Sequence, residues 1–263
     1  MTKISRFETL DVVVTIVPCL EDNYSYLVEC TKTGARVVVD PSEAKPIRGV
    51  LGDGTLDAIW CTHHHFDHVG GNEALVSGLG IREVLGHESE SARIPNFTRG
   101  VKHGERFKLG HLDVEILFVP GHTRGAIAYL VSSSATRLLF SGDTLFLAGC
   151  GRLFEGTAAM MLESFDRIAA CPDDTQIFPG HEYTASNLRF TQSLGFVDTD
   201  DALTEVKEKR AHDVPTVPWT LGTDKRLNAF FNVDNAALVS KLGLATSDRA
   251  TIFGALRKRK DTF

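Results

Sequence analysis

The chain has 263 residues, 43% of them hydrophobic, and a formal net charge of −6 from 28 Lys and Arg against 34 Asp and Glu. That is long and apolar enough for a packed core in one domain or two. The acidic balance disfavours non-specific nucleic-acid binding, and no run approaches the ~20 apolar residues of a membrane helix. The opening "MTKISRFETLDVVVTIV" lacks the basic start, apolar centre and small-residue cleavage site of a signal peptide, so a cytoplasmic monomer without nucleic-acid or membrane partners is expected. Five cysteines without any C-x-x-C pair argue against a disulfide framework or a zinc ribbon, and read as small buried hydrophobes.

In chain order, "VVVTIV", "YSYLVEC", "ARVVVD" and "LDAIWCT" are short, β-branched runs between turn residues, which predicts strands. "NEALVSGLG" carries helical spacing, then "LDVEILFVP", "AIAYLVS" and "RLLFSGD" return to strand. "TAAMMLESFDRIAAC" is helical and "QIFPG" closes the strand-rich part. Beyond residue 181 the texture changes to helix: "ASNLRFTQSLG", "DALTEVKEKRAHD", "NAALVSKLG" and "SDRATIFGALRKRKD", the last with Ser247 or Asp248 as N-cap. The two prolines of "VPTVPWTLG" predict an extended connector between helices. A layered α/β domain over residues 1–181 and an all-helical domain over 182–263 are expected.

The densest chemistry is "CTHHHFDHVGGN", residues 61–72. In an extended segment His63 and His65 share a side while His64 faces away. Asp67 and His68 follow near a turn favoured by Gly70 and Gly71, so one loop offers two half-sites. Three more strands end in a turn and a donor: "EILFVPGHT" gives His122, "RLLFSGDT" gives Asp143, and "QIFPGHE" gives His181. Strands of a layered fold deliver such loops to one edge. Five His and two Asp suit two divalent cations with a bridging carboxylate. The assignment is His63, His65 and His122 to one ion, Asp67, His68 and His181 to the other, and Asp143 to both. Asp67 and Asp143 would orient the attacking water, so they are the expected catalytic residues. His64, His87, His103, His111 and His212 lack the strand-then-turn context and read as surface or structural.

The H-x-H-x-D-H motif with His122, Asp143 and His181 resembles the metallo-β-lactamase superfamily, which implies an αββα sandwich with a dinuclear site at its edge. "FSGDTLFLAGCGRLFEGT", "PGHEYTASNLRF", "PTVPWTLGTDKRLNAFF" and the closing "LRKRKDTF" further resemble the glyoxalase II (hydroxyacylglutathione hydrolase) family. That resemblance spans nearly the whole chain. It implies a thioester hydrolase converting S-D-lactoylglutathione to glutathione and D-lactate, with two divalent ions, zinc first and Fe or Mn as alternatives. It also implies a glutathione site at Arg152, Phe154, Tyr183, Arg257 and Lys260. Arg152 and Phe154 stand where the family often has Lys and Tyr; the charge is kept and a hydroxyl is lost. The rival readings are a one-iron glutathione persulfide dioxygenase, a lactonase or β-lactamase, a thioesterase for a trypanothione-type thiol, and a non-catalytic binding module. A basic patch in an acidic chain favours an anionic thioester such as that of glutathione.

Overall fold

The structure is a computed structural model that describes residues 2–195, 197–245 and 248–263. The first sheet takes its strands in chain order: β1 (Ser5–Glu8), β2 (Val12–Cys19), β3 (Asn23–Cys30), β4 (Arg36–Val39), β5 (Ala58–Trp60), β6 (Glu83–His87) and β7 (Arg99–Val101). The pairs among β1–β4 are antiparallel and those from β4 to β7 parallel. Alternation explains the layering. Val37, Val39, Ala58 and Trp60 enter the core between the sheets, whereas Val38 and Ile59 point to the other face. There they meet Ile47 and Leu51 of α1 (Ala44–Leu51) and Leu75, which comes from the third helix. Two further helices follow the first, α2 (Phe66–Val69) and α3 (Asn72–Leu79).

The second sheet is built from β8 (Arg106–Leu109), β9 (Leu112–Phe118), β10 (Ile127–Ser132) and β11 (Arg137–Gly142). A two-stranded ribbon of β12 (Leu145–Phe146) and β13 (Gly149–Cys150) stands apart, and β14 (Gln176–Pro179) and β15 (Trp219–Thr220) complete the sheet in the order β15-β14-β11-β10-β9-β8. Its inner face supplies Val114, Ile116, Tyr129, Phe140 and Phe178, and α4 (Ala158–Ala169) adds Met161, Phe165 and Ile168 to the same apolar cluster. Thr157 caps α4 by accepting from the Met160 amide. The result is the αββα sandwich that the resemblance implied.

The remaining helices are α5 (Thr184–Leu194), α6 (Asp200–Ala211), α7 (Leu221–Leu227), α8 (Ala236–Lys241) and α9 (Arg249–Asp261). This segment is helical as expected, apart from β15. The expected connector "VPTVPWTLG" is therefore shorter than its composition suggested. Trp219 pairs with Ile177 at the edge of the second sheet, and the Thr220 hydroxyl caps α7, so "LG" is already helix. Phe190, Phe230, Phe253 and Leu256 of this segment belong to the same core cluster as the sandwich. Asp248 caps α9 by accepting from the Thr251 amide at 2.8 Å, while Ser247 lies outside the described residues. All five cysteines are free, four of them buried and Cys171 partly so.

Candidate metal centre

β9, β11 and β14 run in one direction within the second sheet, and β4 and β5 run parallel in the first. The loops after these strands meet at one edge of the sandwich. His122 comes four residues after β9, Asp143 directly after β11, His181 two residues after β14, and His63 three residues after β5. Asp67 and His68 lie on α2, a single turn of helix. Gly71 lets that turn sit against the loop after β4, since a Cβ there would lie 2.7 Å from the Pro41 carbonyl oxygen. Gly180 serves the site itself, because a Cβ on it would lie 2.4 Å from Asp143 Oδ1.

All seven predicted donors converge. His63 Nε2 lies 3.1 Å from His65 Nδ1, which lies 2.9 Å from His122 Nε2. Asp67, His68 and His181 form a second triplet, with His181 Nε2 3.3 Å from Asp67 Oδ2 and His68 Nε2 3.5 Å from the same oxygen. Asp143 lies between them: Oδ1 is 3.3 Å from His68 Nε2, and Oδ2 is 3.3 Å from His181 Nε2 and 3.5 Å from His122 Nε2.

The outer ring nitrogens fix the tautomers. His68 Nδ1 donates to Asp40 at 2.9 Å, His181 Nδ1 to Asp22 at 2.7 Å, and His122 Nδ1 to the Arg152 carbonyl at 2.9 Å. The Thr62 hydroxyl donates to Asp40 at 2.6 Å, which leaves its oxygen to accept from His63 Nδ1 at 3.0 Å. With Nδ1 engaged outward, His63 and His122 both turn Nε2 inward, and each meets His65 Nδ1 at contact distance. Nitrogens crowded about one point in this way suit a shared cation. His68 Nε2 and Asp143 Oδ1 are buried without a hydrogen-bond partner, another sign that the donor set is built for metal.

Electrostatics divides the two triplets. Burial, reinforced by neighbouring imidazoles, drives His63 well below its ordinary pKa and takes His65 down to about 4; burial also lowers His122. These three stay neutral. Burial would lower His68 and His181 too, but Asp143 with Asp40 lifts His68 to about 10, and Asp143, Asp22 and Asp67 raise His181. Burial opposes ionisation of Asp143 and Asp67, yet the adjacent imidazoles and, for Asp67, the Asn23 amide at 3.0 Å hold both below the usual carboxylate range. Negative charge thus faces the second triplet and is shared through Asp143.

A cleft of about 500 Å³ opens from this edge toward α9 and is lined by Asp67, Asp143, His181, Phe146, Tyr183, Arg152, Phe154, Arg257 and Lys260 among others. The Tyr183 ring stacks on His181 at 4.9 Å, and Phe154, 62% exposed, sets its ring 5.2 Å from His122 and 5.6 Å from His65. The cations differ in freedom. Arg257 is 5% exposed, donating to the Cys150 carbonyl and lying 3.2 Å from Asp261, whereas the Arg152 side chain is 67% exposed. Lys260 lies 3.2 Å from the Ser186 hydroxyl. Burial, with Arg257, Arg189 and Arg152 nearby, lowers its pKa to about 8.

The remaining histidines sort as expected. His103, His111 and His212 are exposed, His87 stacks on Phe118 at 4.6 Å, and His64 turns away from the donors toward Glu90. Sequence reasoning did not single out Asp22, Asn23, Asp40, Thr62 or Glu90. Asp40 had a readable signal, since it ends "ARVVVD" in the same strand-then-acid context as Asp143. The others have none.

The fold and the paired donor sets define an αββα protein with a candidate two-metal centre, and a family model described as the metallo-beta-lactamase superfamily matches residues 20–181. Residues 182–263 match the hydroxyacylglutathione hydrolase C-terminus. Hydroxyacylglutathione hydrolase of Ruegeria pomeroyi is 42% identical over 95% of this chain and 98% of its own. That of Rhodospirillum rubrum is 41% identical over 93% and 96%. The chain belongs to the hydroxyacylglutathione hydrolase family. Among solved structures, ETHE1 from Myxococcus xanthus shares the fold with a TM-score of 0.62 at 22% identity, covering 99% of both chains. TTHA1623 in a di-iron-bound form has a TM-score of 0.57 at 24% identity over 81% of this chain and 98% of that one.

Proposed function

We propose that the protein hydrolyses S-(2-hydroxyacyl)glutathione, with S-D-lactoylglutathione as substrate, to glutathione and a 2-hydroxy acid, the second step of methylglyoxal detoxification. The cleft carries this reading: metal donors line one end and Arg152, Arg257 and Lys260 the other, which suits a thioester whose tripeptide is anionic. The relatives named hydroxyacylglutathione hydrolase support the same substrate.

His63, His65 and His122 would hold one divalent ion, Asp67, His68 and His181 another, and Asp143 would serve both. Zinc is the proposed metal; the same His and Asp donors suit Fe or Mn. When bound, such ions supply Lewis acidity for the thioester carbonyl and bring water toward ionisation near neutral pH.

The chain's own residues do the rest. Asp67, anchored by Asn23, and Asp143 orient the attacking water. Lys260 and Arg152 attract the tripeptide carboxylates, and the stacked Tyr183 walls the cleft beside His181. Arg257 contributes charge from a buried position while tying α9 to the loop at Cys150. The leaving thiol has an ordinary pKa of about 8.5, so it departs as thiolate with little acid help. Cys150, pushed up to about 12 by burial, is no substitute for the water nucleophile. The cleft is complete within one chain, which supports a working monomer. Five free cysteines support a reducing, cytoplasmic setting, and no helix among the described residues is long and apolar enough to cross a membrane.

The test is the loss of thioester absorbance of S-D-lactoylglutathione, with released thiol measured in parallel and a chelator-treated control. Rapid, chelator-sensitive loss with stoichiometric thiol is expected. Metal-loaded protein that leaves the thioester intact would sink the proposal and direct attention to oxygen uptake with glutathione persulfide.

A further inference from the structure

Four of the five donor histidines are braced through their second ring nitrogen, by Thr62, Asp40, Asp22 or the Arg152 carbonyl. His65 is the exception: among the described residues its Nε2 has no polar partner. It is also half-buried, on the irregular run between β5 and α2. Something else must hold it.

The adjacent His64 is packed between two acids. Its Nδ1 lies 2.5 Å from Glu90 Oε2, a close contact without hydrogen-bond alignment, and its Nε2 3.8 Å from Glu155 Oε1, with only 9% of the side chain exposed. Both acids are themselves tied to the loop that carries His122. Glu90 is 2% exposed and packs so closely on Gly125 that a Cβ there would lie 1.9 Å from Glu90 Oε1. Glu155 Oε2 accepts from the Arg124 amide at 2.8 Å, the Glu155 amide donates to the His122 carbonyl at 3.3 Å, and Arg93 donates to Glu155 Oε1 at 2.7 Å.

We propose that His64 is a positioning residue: clamped between Glu90 and Glu155, it locks the H-x-H run against the His122 loop and so supplies the constraint His65 lacks. The bridge bears first on the triplet of His63, His65 and His122, and reaches the other only through the His68 amide, which donates to the His65 carbonyl at 2.9 Å. His68 and His181 are braced by Asp40 and Asp22, and among the described residues no hydrogen bond or ion pair joins either to His64, Glu90 or Glu155. This inference rests on the paired metal site proposed above.

The experiment is zinc titration against a chromogenic competitor for the unmodified chain, His64→Ala and the gentler Glu155→Gln, whose side chain is 23% exposed. Spectra of ¹⁵N-labelled histidine identify which rings lose the metal. Loss of an outer constraint weakens a metal about 10- to 100-fold. The expected result is that loss for the ion seen by His65 and His122, an unchanged ion at His181, and a smaller effect in His64→Gln, which keeps one N–H donor. Any result in which the two ions move together, including no change in either, overturns the bridge. Fewer than two zinc ions on the unmodified chain would overturn the paired site beneath it. Thermal melting of the metal-free variants separates a folding defect, which would weaken both ions, from the one-sided loss.

Discussion

The two ends of the cleft are built on opposite plans. At the metal end four of the five donor histidines are fixed through their outer ring nitrogen, and the donor side chains are buried or half-buried. At the far end Arg152 is mostly exposed with Asp261 3.9 Å away, Lys260 meets one hydroxyl, and Arg257 is spent largely on structure. Donors must be preorganised, because even the loss of one outer contact weakens an ion about 10- to 100-fold. A charged tripeptide tolerates adaptable cations, whose work is long-range attraction. Loss of a donor at the metal end should therefore be severe, and loss of a cation at the far end milder.

The largest effect expected is from Asp143→Ala, which removes the one carboxylate shared by both triplets. Turnover of the thioester should fall by more than about 10³-fold, and zinc content measured by atomic absorption should drop below two ions per chain. Retention of both ions would remove Asp143 from the bridge.

Asp40→Asn probes the outer layer. Asp40 accepts from His68 directly and from the Thr62 hydroxyl that in turn braces His63, so it reaches both triplets. Zinc affinity at both sites should weaken by about 10-fold or more, in contrast to the one-sided loss predicted for His64 variants.

At the other end the effect should follow pH. Lys260 is charged below about 8 and neutral above it. Binding of an anionic substrate is therefore fully supported at lower pH and lost as pH rises through that value. KM should climb by about 10-fold between pH 7 and 9, tracking the charged fraction, with kcat little changed. In Lys260→Gln KM should be raised at pH 7 and the climb flattened. A KM profile identical to that of the unmodified chain would show that Lys260 carries no part of the binding.

The smallest effect belongs to Phe154→Tyr. A hydroxyl on this ring would face the cleft, and one new hydrogen bond is worth about 0.5–1.5 kcal/mol, so KM should fall about 2- to 10-fold. An unchanged KM would mean that the ring acts only as an apolar cover over His65 and His122.

These experiments also separate what was legible in the sequence from what was not. The seven candidate donors could be read because four strand ends carry them, and strand polarity sends such loops to one edge. Asp40 obeyed the same rule and was readable in principle. The boundary at residue 181 followed a change of periodicity, but periodicity says nothing about β15 crossing back to pair with β14, or about Phe190, Phe230 and Phe253 entering the sandwich core. The strand arose from partner availability at a sheet edge, which no local pattern encodes.

By itself the sequence determined a layered α/β core, its central strands, the candidate donors and the cationic final helix, because these depend on spacing, polarity and residue chemistry along a short stretch, while the sandwich itself was expected from the family resemblance. Tertiary structure alone decided which partner sets each tautomer, that Arg257 is buried while Arg152 is free, and that His64 lies between Glu90 and Glu155. Apart from the neighbouring Thr62 and His63, the braces of the donor histidines and the His64–Glu90 contact join residues 26 to 159 positions apart, and only packing of whole layers brings such residues within the few ångströms where hydrogen bonds and charges act.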